Sequence, residues 1–115
     1  IEGRKGADRL SGGKGRDRFV YRSVGDSPAT GPDRILDFKA RKGDRIDLRK
    51  LDANAKKKGR QRFTWLGAKR FTGKPGQLRF AKGWLLADVS GDRKADFKVK
   101  LQGVRTLPKK ALMLK

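Results

Sequence analysis

Seven short runs along the chain alternate apolar with polar residues and stop at Gly, Pro or Asp. They are Arg18-Phe19-Val20-Tyr21, Arg34-Ile35-Leu36-Asp37-Phe38, Arg45-Ile46-Asp47-Leu48 and Arg62-Phe63-Thr64-Trp65-Leu66. The later ones are Gln77-Leu78-Arg79-Phe80, Trp84-Leu85-Leu86-Ala87-Asp88-Val89 and Asp96-Phe97-Lys98-Val99-Lys100-Leu101. Short β-rich runs separated by turn signals at fairly regular spacing predict an all-β domain. The alternation is cleanest at Phe97, Val99 and Leu101, which share one face while Lys98 and Lys100 take the other. Helical signal is thin. Leu51 to Lys58 has room for one or two turns ending at Gly59, and Pro108 to Leu114 reads as a short helical turn or an edge strand. Neither is long enough to stand as an isolated helix.

Composition narrows the chemistry. The 115 residues hold 32 Lys and Arg against 12 Asp and Glu, a formal charge of +20, with neither Cys nor His. High charge with modest hydrophobicity is also the signature of disorder, but the alternating runs favour a folded β domain with a cationic outer face. Disulfides, thiolate or imidazole metal ligands, and Ser-His or Cys-His nucleophile pairs are all excluded, so any metal must be held by oxygen. No apolar run is long enough to span a bilayer, and no basic-then-apolar signal peptide is visible.

The acids are unevenly chosen. Glu2 is the only Glu among the 12 acidic residues, the rest being Asp. The opening Ile1-Glu2-Gly3-Arg4 reads as a protease recognition sequence left from cloning, which sets residues 1–4 apart from a single domain at 5–115. Loss of Glu beside retained Asp suggests a chain whose surface acids were replaced by Lys and Arg. A naturally basic nucleic-acid binder is the alternative.

Candidate chemistry begins near the start. Gly12-Gly13-Lys14-Gly15-Arg16-Asp17-Arg18-Phe19-Val20 fits G-G-x-G-x-D-x-U-x at every fixed position. Gly3-Arg4-Lys5-Gly6-Ala7-Asp8-Arg9-Leu10-Ser11 fits it except that Arg4 takes the second Gly position. This nonapeptide is the calcium-binding β-helix repeat. Its glycines permit a tight turn with carbonyls aimed at one spot, its Asp adds a carboxylate, and Ca²⁺ takes six to eight such oxygens. Gly6, Asp8, Gly13, Gly15 and Asp17 are therefore candidate ligands, with Leu10 and Phe19 turned inward. Fewer than two full repeats complete only one or two sites, and they read as the end of a longer array.

A second pattern is Asp88-Val89-Ser90-Gly91-Asp92-Arg93-Lys94-Ala95-Asp96. Oxygen side chains on Asp88, Ser90, Asp92 and Asp96 follow the first part of an EF-hand-type loop, but Arg93 replaces its Gly and no Glu closes it. An Asp-rich hairpin turn and an ion site are both open readings.

These repeats, with Asp33-Arg34-Ile35-Leu36-Asp37-Phe38, Gly43-Asp44-Arg45-Ile46-Asp47-Leu48, Leu51-Asp52-Ala53, Gly76-Gln77-Leu78-Arg79-Phe80, Ala95-Asp96-Phe97 and Leu101-Gln102-Gly103-Val104, resemble the C-terminal RTX domain of serralysin-type secreted metalloproteases. The resemblance implies a short parallel β-roll at 5–20 continuing into a β-sandwich cap at 21–115. It also implies calcium at Asp8, Asp17 and Asp33, and a C-terminal signal for type I secretion. Departures are the basic surface and a tail, Ala111-Leu112-Met113-Leu114-Lys115, without the family's terminal acid.

The charge acts on both candidate functions. A unit charge about 10 Å from a calcium ion in water opposes binding by about 0.8 kcal/mol, so calcium affinity is expected to fall; alternatively, Lys and Arg replace the ions. The same charge predicts non-specific binding to polyanions or anionic proteins, with Lys56, Lys57, Lys58, Lys69, Arg70, Lys109 and Lys110 as candidate contacts. Phe63, Trp65, Phe71, Phe80 and Trp84 fit core packing better than base stacking. Carboxylate pairs such as Asp44 with Asp47 or Asp33 with Asp37 fall in structural motifs beside many cations, and no catalysis is expected. The overall expectation is a non-catalytic calcium module recharged as a supercationic scaffold.

Overall fold

The computed structural model describes residues 7–51 and 63–114. Expectations for Gly6, for the short helix after Leu51 and for Lys56 to Lys58 lie outside the described residues. The strands are β1 (Arg9–Leu10), β2 (Arg18–Val20), β3 (Asp33–Ile35), β4 (Arg45–Asp47), β5 (Thr64–Trp65), β6 (Gln77–Ala81), β7 (Trp84–Asp88), β8 (Phe97–Leu101) and β9 (Leu112–Met113). They form a six-stranded sheet, ordered β1-β3-β8-β7-β6-β5, and a three-stranded sheet, ordered β2-β4-β9. The all-β expectation holds.

The first four strands alternate between the two sheets, each pairing in parallel with the strand two places along. Arg9 lies opposite Arg34 in one sheet, and Arg18 lies opposite Arg45 in the other. Each of these strands starts on the same tripeptide, Asp-Arg-apolar: Asp8-Arg9-Leu10, Asp17-Arg18-Phe19, Asp33-Arg34-Ile35 and Asp44-Arg45-Ile46. Period-2 geometry turns the third residue inward and the second outward. Phe19, Ile35 and Ile46 are fully buried, Leu10 packs against the core, and Arg9, Arg18 and Arg34 are exposed.

Of the remaining strands, β6, β7 and β8 build an antiparallel meander, and β5 joins its edge in parallel beside β6. β6 and β7 meet at a two-residue turn in which Lys82 and Gly83 both have positive φ, the conformation whose twist suits a tight hairpin. Phe97, Val99 and Leu101 of β8 are fully buried, while Lys98 and Lys100 lie outside against the Trp84 ring, at 4.5 and 5.3 Å from its centroid. Both readings of the C-terminal stretch are realised in succession: a 3₁₀ turn at Lys109–Ala111 leads into β9, which pairs with β4. The run from Arg34 to Phe38 stops being strand at Ile35, because Leu36 turns outward and Asp37 turns back to an earlier loop. Phe63 and Phe80 are core residues and Trp65 packs against the core; Phe71 is partly buried with the Arg79 guanidinium over its ring. Among the described residues no helix is long and apolar enough to cross a membrane.

Candidate metal centre

The stacked tripeptides set the site. Where one strand lies beside the next, the Asp of the later strand accepts the backbone N–H of the earlier Asp. Asp8 N–H donates to Asp33 Oδ1 at 2.9 Å, and Asp17 N–H donates to Asp44 Oδ1 at 3.0 Å. Asp44 is completed by the Lys39 N–H on its other oxygen, at 2.9 Å. The earlier acids are not completed. Asp8 Oδ2, Asp17 Oδ2 and Asp33 Oδ2 are buried and have no hydrogen-bond partner among the described residues. An unpaired buried polar atom costs about 1–3 kcal/mol of stability, more when charged, which makes these three carboxylates candidate positions for a cation.

The structure thus divides the expected ligands between two positions. One holds Asp8 and Asp33 together. Burial pushes the Asp33 carboxyl up from its ordinary pKa, offset in part by the Asp8 N–H. The buried Tyr21 hydroxyl interacts electrostatically with Asp33 but falls outside hydrogen-bond geometry, and burial followed by the Asp33 charge pushes its phenol up as well.

The other position holds Asp17 over the glycine turn. A Cβ on Gly12 would fall 2.4 Å from Asp17 Oδ2, so only glycine lets the carboxylate lie here. Gly13 and Gly15, with φ of +75° and +86°, carry the turn through the left-handed region that glycine adopts freely. Asp37 clamps the turn from the following coil, accepting Gly12 N–H at 2.9 Å, Gly13 N–H at 2.8 Å and the Ser11 hydroxyl at 2.8 Å. Those N–H groups hold its carboxyl below the usual range. One cation is already present: Lys42 Nζ donates to the Gly13 carbonyl at 3.3 Å.

Oxygen-only chemistry fits a hard cation here. Asp8 with Asp33 at one position, and Asp17 beside the Gly12–Gly15 turn at the other, offer only oxygen donors, which suit Ca²⁺ and not softer metals. Asp37 and Asp44 were not singled out as site residues from the sequence. Their signal was present, since both belong to the D-x-I-x-D-F and G-D-x-I-D-L series, but their role depends on which coil lies beside which.

The second pattern is a hairpin loop joining β7 and β8, with one ligand oxygen from each of Asp88, Asp92 and Asp96 lying within 4.8 Å of the others. Its carboxylates are already occupied. Asp88 accepts Gly91 N–H and Arg93 N–H, both at 2.8 Å, and Asp96 Oδ2 accepts Val89 N–H at 2.9 Å and the Ser90 hydroxyl at 3.1 Å. Lys94 N–H holds exposed Asp92 below the usual carboxyl range. Arg93 takes a positive φ of 69°, the strain expected where a loop of this type prefers glycine.

Of the expected polyanion contacts, Lys69 and Arg70 are exposed after β5, and Lys109 and Lys110 are exposed on the last 3₁₀ turn.

A family model, Peptidase M10 serralysin C terminal, matches residues 1–113. The chain belongs to that family. No curated protein matches it.

Proposed function

We propose that this chain is a non-catalytic calcium-binding module whose stability is linked to ion occupancy, the role of an RTX C-terminal domain in a type I-secreted protein. The observation that carries the reading is the set of buried, unpartnered oxygens on Asp8, Asp17 and Asp33. Asp8 and Asp33 serve one ion, with Gly6 as the expected backbone contributor. Asp17 with the carbonyls of Gly13 and Gly15 serves another. Bound calcium supplies charge neutralisation and no reaction step. Asp37 and Asp44 act as positioning groups, holding the turn and the strand entry by backbone N–H donors. The loop of Asp88, Ser90, Asp92 and Asp96 is a weaker third position, because its own N–H groups already occupy its carboxylates.

The high charge is a coating laid over this frame. Arg9, Arg18, Arg34, Lys98 and Lys100 all take outward positions of strands whose inward positions remain apolar. That distribution supports a supercationic recharging that spared the Asp residues, with Lys42 as a built-in competitor of calcium at the glycine turn. Thermal unfolding followed by circular dichroism, with calcium and then with excess chelator, tests the calcium reading. A melting temperature that rises with calcium supports it; identical curves refute it and favour Lys and Arg as permanent ion substitutes.

A further inference from the structure

Beside the glycine turn, the chain forms an open groove of about 1330 Å³ between the stretch from Phe38 to Arg45 and the stretch from Gly103 to Lys110. Its lining combines two chemistries. Lys39, Arg41, Lys42 and Arg45 come from the first stretch, Arg105 and Lys110 from the second, and Arg16 joins them from the glycine turn. Among the described residues no carboxylate lines the groove, and none of these cations makes an ion pair with a described carboxylate. Seven like charges facing one concavity repel one another and focus a positive potential there.

Two features organise the charge. Arg45 is half-buried, and its guanidinium is fixed on the carbonyls of Asp44 at 2.8 Å and Ala40 at 3.4 Å. That leaves further N–H donors of a rigid fork for a ligand. Between the cations Ala40, Val104 and Pro108 present apolar surface beside Thr106 and two glycines, with Phe38 and Leu107 largely buried behind them. The Phe38 ring is only 4% exposed, so it offers no platform on which a nucleobase could stack.

We propose that this groove binds a sulfated oligosaccharide. Sulfate groups match the guanidinium and ammonium donors, and the carbon-bound hydrogens of sugar rings match the apolar lining between them. A bare polyphosphate has nothing to place on that lining, and single-stranded nucleic acid lacks an exposed aromatic surface here. The volume is large enough for a few sugar units. The proposal does not rest on the calcium reading, although Arg16 and Lys42 border the glycine turn as well: its contacts are cations and apolar surface, not carboxylates.

A heparin-derived tetrasaccharide titrated calorimetrically at physiological salt, once with calcium and once with chelator, tests the proposal. The triple variant Lys39→Gln/Arg41→Gln/Arg105→Gln is expected to weaken binding at least tenfold. A charge-matched control outside the groove, Arg34→Gln/Lys50→Gln/Lys74→Gln, is expected to weaken it less than threefold. Amide chemical-shift changes on titration should centre on Val104 and Leu107. Equal losses in the two variants would mean that net charge alone binds the ligand and would overturn the proposal. So would shifts centred on Trp84, or an oligothymidylate of equal charge that binds more tightly than the tetrasaccharide. Circular dichroism spectra that match the parent keep both variants interpretable; should the groove variant lose its fold, the position of the shifts in the parent decides the question.

Discussion

Two Asp-rich turns of this chain treat the same side chain in opposite ways. In the glycine turn, Asp17 gives its backbone N–H to Asp44 and leaves a buried carboxylate oxygen without a partner. In the β7–β8 hairpin, Asp88 and Asp96 accept hydrogen bonds from their own loop, from Val89, Gly91 and Arg93 N–H groups and from the Ser90 hydroxyl. One turn leaves a buried oxygen open and the other fills its own. Acid count therefore says little about ion binding; what decides is whether the backbone has already filled the oxygens.

The contrast can be broken most directly with calcium itself. At about one hundred times its Kd, a ligand that binds only the folded state adds about 2.7 kcal/mol. Asp17→Asn should remove much of that gain while leaving stability in chelator nearly unchanged, as measured by paired thermal melts. Asp88→Asn should do the reverse. It forfeits charged acceptors for two N–H groups and is expected to lose about 2 kcal/mol in chelator and in calcium alike, by urea unfolding. Equal behaviour of the two variants would erase the distinction between the turns.

Lys42→Met sharpens it further. On the proposed calcium reading the ammonium on the Gly13 carbonyl is a competitor, and its removal is expected to raise calcium affinity about fivefold, on the order of 1 kcal/mol. An unchanged affinity would place the ion elsewhere.

The smallest effect concerns a third way of completing an Asp. Buried Asp47 is completed by a cation in its own strand exit: Arg49 Nε and one terminal nitrogen donate at 3.0 and 2.8 Å, and hold the carboxyl below its usual range. Its folded pKa being depressed, the contribution is present above the ordinary carboxyl value of about 3.9 and is lost as pH falls through the folded value. Because Arg49 is substantially exposed, Arg49→Met should cost only a small part of the stability near neutral pH, well below the loss expected for Asp88→Asn. Acid titration should show that difference shrinking below about pH 4; a difference that grows instead would contradict the assigned sign.

Much of the frame was legible because alternation is local. Phe97, Val99 and Leu101 could face the core only if Lys98 and Lys100 faced out, and the turn signals at Gly12–Gly15 and Ser90–Gly91 marked where strands stop. The nonapeptide frame likewise located Asp8 and Asp17. What escaped was the role of Asp37 and Asp44, whose hydrogen bonds to the earlier turn span 24 to 27 residues. Their residue types were visible, but no local pattern names a partner that far away. Trp84 was read as core packing, yet it sits half-exposed beneath two lysines, because its strand position alternates outward while Leu85 takes the inward place.

The amino-acid sequence by itself determined the fold class, the inward and outward sets of each strand, and the restriction of any metal to oxygen ligands. Those properties follow from side-chain type and from a two-residue period, both carried within a few neighbouring positions. Only the tertiary structure decided which carboxylates are left open and which are filled, where Lys42 lands, and that cations from three separate stretches share one groove. Stacking register fixes these outcomes: each coil supplies donors to the coil beside it, and a free oxygen or a concentrated charge exists only once the coils are laid together.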